Sequence, residues 1–153
     1  LPNGVAQDRV RQIGGRYRDT TDFDFMMRMG IWVENLSLPA VLNECMLQSY
    51  SGVIGLFPNT RNLGRARFHR LRAVGAFLVS ASWDGKQVGD VQIYSEKGAR
   101  ARVVNPWPGT PVRVVTRQGR PVEASERDGV IEFATQAGET YYLQKSSGGG
   151  SER

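Results

Sequence analysis

Residues 76–94 read AFLVSASWDGKQVGDVQIY. Phe77, Val79 and Ala81 recur at every second position up to Trp83, the period of a strand with one buried face. Asp84-Gly85 is a hairpin turn signal, and Val88, Val91, Ile93 and Tyr94 resume the apolar pattern behind it. Toward the C-terminus the same grammar repeats. Lys97-Gly98 marks a turn before Ala101, Val103 and Val104. Gln118-Gly119 separates apolar runs at 112–116 and 121–124. Val130, Ile131 and Phe133 form a further run, and Tyr141, Tyr142 and Leu143 the last. Short strands at regular spacing with turns between them predict an antiparallel β-sandwich over 66–145.

Toward the N-terminus the period changes. Leu38, Val41, Leu42, Cys45 and Met46 recur at spacings of three and four, and Leu47 and Tyr50 widen the stripe. This predicts a helix with one broad buried face. Ser37 is the expected N-cap, Pro39 lies in the first turn where its missing N–H does no harm, and Gly52 is the expected left-handed C-cap. Val53, Ile54, Leu56 and Phe57 then make a short apolar strand closed by Pro58-Asn59. Residues 59–65 are expected to be a linker running into the arginines Arg65, Arg67, Arg70 and Arg72, whose stems would lie on a neighbouring surface with their heads in water. Residues 1–29 are mixed: Asp19–Asp22 offer helix-capping oxygens before Phe23, Phe25, Met26 and Met27. Residues 146–153, rich in serine and glycine, are expected to be a disordered tail.

The 153 residues suit one average domain or two small pieces, and the 40% apolar and 23% charged fractions are ordinary for a globular protein. No apolar run is long enough to cross a membrane as a helix. The chain opens on Leu1 with no basic-then-apolar leader, as a fragment or a processed product would; a secreted bacterial parent would place it outside the cytoplasm. Cys45 is the single cysteine, so no intrachain disulfide and no thiolate cluster can form, and it is expected to be a buried, inert thiol. His69 is the single histidine: any Ser-His-Asp triad would have to use it, and a multi-histidine metal site is excluded. The net charge of +5 comes mostly from arginine. The densest run, Arg61 to Arg72, lacks the interleaved aromatic residues of a base-stacking surface, so no nucleic-acid partner is expected.

The segments AVLNECMLQSYSGVIGLFPN, LRAVGAFLVSASWDGKQV, SEKGARARVVNPWPG and GVIEFATQAGETYYL, in this order, resemble the C-terminal end of glycoside hydrolase family 95 enzymes, known as α-L-fucosidases. The resemblance implies an α+β chain. Residues 1–58 would be the last part of a helical α/α toroid, followed by the linker and a C-terminal β-sandwich. It implies no cofactor, a glycan or oligosaccharide substrate, and hydrolysis of a terminal glycosidic bond with inversion. That reaction needs a carboxylic acid for the leaving oxygen and a base across the ring to activate water. The general acid would lie upstream, so this chain would depend on a missing catalytic region. The family pattern before the helix is similar to Asp-Gly-Asn-Phe-Gly. Asn35 matches its Asn, but Val33 stands where the pattern has its basic Asp, and valine cannot accept a proton. Glu34, one position later, is the carboxylate available in its place.

The candidate site residues are therefore Glu34 as catalytic carboxylate, with Asn35, Trp32 and Trp107 as sugar contacts. Each has a plain structural alternative. Glu34 near a helix start is favoured by the dipole, Asn35 can close a turn, and Trp32 can be core. Trp107 sits in Asn105-Pro106-Trp107-Pro108-Gly109, a rigid loop that makes it either a stacking platform or a plug in an interdomain contact. The alternative to a hydrolase fragment is a non-catalytic carbohydrate-binding or interaction β-domain.

Overall fold

A computed structural model describes Ser37, residues 39–60 and residues 64–146. The chain divides into two compact units, Leu1–Asn43 and Glu44–Arg153. In the first, the described residues 39–43 are helical and exposed, Val41 at 57% and Leu42 at 50%.

The second unit is a β-sandwich. Its larger sheet has six antiparallel strands in the order β3-β4-β5-β11-β7-β8, formed by Ala66–Ala73, Phe77–Trp83, Val88–Ser95, Thr140–Lys145, Val112–Thr116 and Pro121–Val122. Its smaller sheet runs β6-β10-β9, formed by Ala101–Val104, Val130–Phe133 and Ala124–Arg127. The alternation that predicted these strands fills the space between the sheets. Val79, Ala81, Val91 and Ile93 from β4 and β5 share a buried cluster with Ala101, Val103, Ile131 and Phe133 from β6 and β10. The Phe133 ring meets Tyr141 of β11 at 5.5 Å between centroids. Each fully buried aliphatic side chain contributes about 1.5–3 kcal/mol.

Two turns show why their residues are needed. In the β4–β5 hairpin, Asp84 Oδ1 accepts the N–H groups of Lys86 (2.7 Å) and Gln87 (2.8 Å), fixing the turn that Asp84-Gly85 announced. Gly98 has φ +75°, and a Cβ there would stand 3.1 Å from the Ala137 backbone nitrogen. Only glycine combines that backbone with that clearance.

Three expectations are corrected. First, the helix does not run to Ser51-Gly52. It ends at Met46, because Leu47–Gln48 (β1) pairs antiparallel with Gly55–Leu56 (β2). Gly52, with φ +77°, serves the turn between them, its N–H donating to the Ser49 carbonyl at 2.9 Å. Its Cys45 is half-buried rather than buried. Second, the boundary expected at 59–65 moves N-terminally, since residues 44–58 belong to the sandwich. Ile54 exchanges backbone hydrogen bonds with Arg102 and Val104 and makes a parallel bridge to Val103, while Leu47, Ile54 and Phe57 are core. Phe57 stacks obliquely on Phe68 (5.3 Å) and Trp83 (6.2 Å). Third, the stems of Arg67, Arg70 and Arg72 do not lie on a neighbouring domain. From Ala66, the expected start of the sandwich, the segment is edge strand β3 of the larger sheet.

Candidate functional site

Trp32, Glu34 and Asn35 lie outside the described residues. Trp107 is in the sandwich and only 8% exposed. Its backbone N–H donates to Asn105 Oδ1 (2.8 Å), its indole N–H donates to the Val88 carbonyl (2.8 Å), and the Lys145 ammonium sits 5.8 Å from its ring centroid. Asn105 is itself held by the Thr110 carbonyl and Glu126. The loop thus fastens a ring that belongs to the buried core.

The polar constellation that the fold assembles lies elsewhere, on the outer face of the larger sheet, and β4 is its axis. Two bulges flank β4 at adjacent residues. On one side, His69 and Arg70 of β3 together oppose Ser80, between the pairs Phe68–Ala81 and Leu71–Val79. On the other side, Asp90 and Val91 of β5 together oppose Ala81, between Ser80–Gln92 and Ser82–Gly89. Each bulge contains a non-glycine residue with left-handed backbone, Arg70 at φ 56° and Asp90 at φ 52°. Such residues cost about 1–3 kcal/mol apiece and persist only where the surroundings over-determine them. The bulges let His69, Arg70 and Asp90 all leave the core while Phe68, Leu71, Val88 and Val91 keep to it.

The result is a cleft of about 200 Å³ lined by Arg67, Phe68, His69, Ser80, Ala81, Asp90 and Gln92. Ser80, 9% exposed, forms its floor. Its Oγ accepts the Arg70 N–H at 3.0 Å, replacing the ladder bond lost at the bulge, and lies 3.2 Å from His69 Nδ1. Asp90 Oδ2 accepts from Ser82 Oγ (2.8 Å) and from the Arg67 guanidinium (3.1 Å).

The arginines of β3 reach across β4 to partners on or just beyond β5. Arg67 pairs with Asp90, Arg70 covers the Tyr94 ring at 5.1 Å, and Arg72 holds Glu96 through both guanidinium nitrogens. Three stems laid over one strand explain how an outward-facing serine is buried. They also direct the densest positive charge of the chain onto carboxylates and a ring of the same sheet. The Arg72 guanidinium, through its hydrogen bonds, holds the Glu96 carboxyl below its ordinary range, and Glu96 raises Arg72 in return. Backbone N–H donors from Gln87 and Lys86 likewise lower Asp84.

This arrangement limits the chemistry. A Ser-His-Asp triad needs a carboxylate bonded to the histidine nitrogen opposite the serine. Among the described residues His69 meets Ser80 alone, and Asp90 is engaged with Arg67 and Ser82 instead. A glycosidase acid needs a carboxyl raised toward neutrality. Asp84 and Glu96 are displaced the other way. Among the described residues no three His, Cys, Asp or Glu side chains gather as metal ligands, and no helix is long and apolar enough to cross a membrane. A second cavity, about 360 Å³, opens between the β7–β8 turn and the segment before β11, with Arg120, Glu139 and Tyr141 in its wall.

The cleft residues were not singled out from sequence. A signal for them exists: apolar spacing slips from two to three between Phe68 and Leu71 and again between Val88 and Val91. One slip is a bulge; two slips in strands that flank the same neighbour place polar residues together. That coincidence is visible only once β3 is known to pair with β4.

A family model described as "Glycoside hydrolase family 95, C-terminal domain" matches residues 48–143. None of the curated proteins matches the chain.

Proposed function

This chain belongs to glycoside hydrolase family 95, and from that premise we propose that it is the C-terminal part of an inverting, fucosidase-like glycosidase whose catalytic acid lies in sequence other than this. The observation that carries the reading is the extent of the match. It covers 48–143, nearly the whole of the sandwich described above, from β1 into β11. The electrostatics support it from the other direction, because the carboxyls with displaced pKa values in the sandwich are lowered and so are poor proton donors near neutral pH. In this reading the sandwich is a supporting domain. Glu34 is the carboxylate proposed to act as base in place of the aspartate that Val33 replaces, with Trp32 and Asn35 as sugar contacts.

The test is hydrolysis of an aryl α-L-fucoside by the longest natural polypeptide containing this sequence, followed by NMR so that the anomer released first is identified. Inverted fucose is the expected product, and Glu34→Gln should abolish turnover while leaving the fold intact. Turnover by the 153-residue chain alone would overturn the assignment of the acid to other sequence. Full activity in Glu34→Gln would remove Glu34 from the chemistry.

A further inference from the structure

We propose that the doubly bulged cleft on the outer face of the larger sheet is a sugar-binding site that takes a neutral pyranose through a vicinal pair of hydroxyls. The choice of a sugar rests on the glycosidase reading; the site itself rests on the geometry of β3, β4 and β5.

Four features point to a ligand. Left-handed backbone at Arg70 and Asp90, one on each side of β4, marks a place where both neighbouring strands depart from regular pairing at the same level. Strain gathered in this way characterises binding sites rather than plain sheet surface. The polar groups that the bulges turn outward also keep unused hydrogen-bonding capacity. Asp90 Oδ2 serves both Arg67 and Ser82, while Oδ1 has no partner among the described residues. His69 is tied to Ser80 through Nδ1, which leaves Nε2 facing away from that bond. Gln92, half-buried between its register partners Ser80 and Tyr142, offers both a donor and an acceptor.

The third feature is charge. The Arg67 guanidinium and the Asp90 carboxylate stand 3.1 Å apart and neutralise each other. An anionic ligand would have to displace Asp90 from Arg67, and a cationic one would have to displace Arg67 from Asp90. A neutral diol displaces neither: one hydroxyl donates to Asp90 Oδ1 and its neighbour accepts from Arg67. The fourth is size and setting. A cleft of about 200 Å³ suits one sugar ring rather than a chain. Tyr142 lies on the same outer face, directly beside Gln92 in register, whereas the Tyr94 ring two residues beyond Gln92 is already covered by Arg70. A ring such as that of Tyr142 suits the apolar face of a pyranose.

The experiment is a titration of the 15N-labelled full chain with methyl α-L-fucopyranoside, with methyl α-D-galactopyranoside and galacturonate as comparisons. The expected result is saturable shifts of the His69, Asp90 and Gln92 amides with either neutral glycoside, at millimolar affinity of about 1–10 mM. Asp90→Asn keeps a residue that tolerates left-handed backbone, so its spectrum should remain folded. It should weaken binding about tenfold, as expected for loss of a charge-assisted hydrogen bond. Gln92→Ala, which leaves both bulges untouched, should weaken it severalfold. Absence of saturable shifts at these residues would overturn the proposal. So would tighter binding of galacturonate than of the neutral glycosides, or unchanged affinity in both variants. Because the readout is binding to this chain, a negative result leaves hydrolysis by the longer polypeptide standing. Binding without any hydrolysis by that polypeptide would remove the glycosidase reading and keep the site.

Discussion

The two faces of the six-stranded sheet are built from the same strands and obey different physics. On the inner face, Phe77, Val79, Ile93 and Val114 are each 2% exposed or less and meet the smaller sheet through close packing. On the outer face, arginines from the edge strand cross a whole strand to reach carboxylates and a tyrosine ring, and the buried Ser80 beneath them is hydrogen-bonded. The inner face is an outcome of period-two alternation. The outer face is an outcome of two interruptions in that alternation. Stability is thus expected to reside in the first and adaptable surface chemistry in the second.

Adjacent residues of β5 give the sharpest way to break this comparison. Ile93→Ala should lower unfolding free energy by about 2–5 kcal/mol, through lost burial and a residual cavity. Gln92→Ala, one residue away on the other face, should change it by no more than about 0.5 kcal/mol. Chemical denaturation of the two variants reads the contrast directly, and similar losses would show that the outer face is covered by more than arginine stems. Ser80 is the intermediate case, being outward-facing yet buried. Ser80→Ala strands the Arg70 N–H and should cost about 1–2 kcal/mol in the same measurement.

The bulges can be probed by their backbone. Asp90→Val should be less stable than Asp90→Gly by about 1–2 kcal/mol, because a β-branched residue resists positive φ and glycine does not. Equal stabilities would mean that the bulge relaxes when its residue changes. The smallest effect concerns the Arg72–Glu96 pair. Glu96 is held below its ordinary value in the folded chain, so its contribution is present above about pH 4.3, the unfolded value, and is lost as pH falls through the lower folded one. Thermal melts should show a shallow decline in that acid range, smaller in Glu96→Gln and flattened by salt.

The same contrast decides what could be read in advance. The strands at 77–83, 88–95, 101–104, 112–116, 130–133 and 140–145 follow alternation and turn residues closely, so their existence and the sandwich were legible. Edge strand β3 was not, because the slip between Phe68 and Leu71 breaks its period and five arginines between 61 and 72 suggest a solvated segment. The stretch 47–52 reads as the end of the preceding helix for a related reason, while the strand read at 53–57 holds β2. Leu47 continues the helical spacing, and only its pairing with Leu56 reveals a strand.

By itself, then, the sequence determined the class of fold, the places where the chain turns and the family to which it belongs. These follow from local periodicity, from glycine and Asx chemistry, and from motifs within single segments. Tertiary structure alone decided where the sandwich begins, that Trp107 is packed inside it, and that Arg67, His69, Ser80, Asp90 and Gln92 share one cleft. Those facts depend on which strands lie side by side. The cleft's residues span 67–92 on three strands and meet only because β4 carries a bulged neighbour on each edge, a juxtaposition that no single segment encodes.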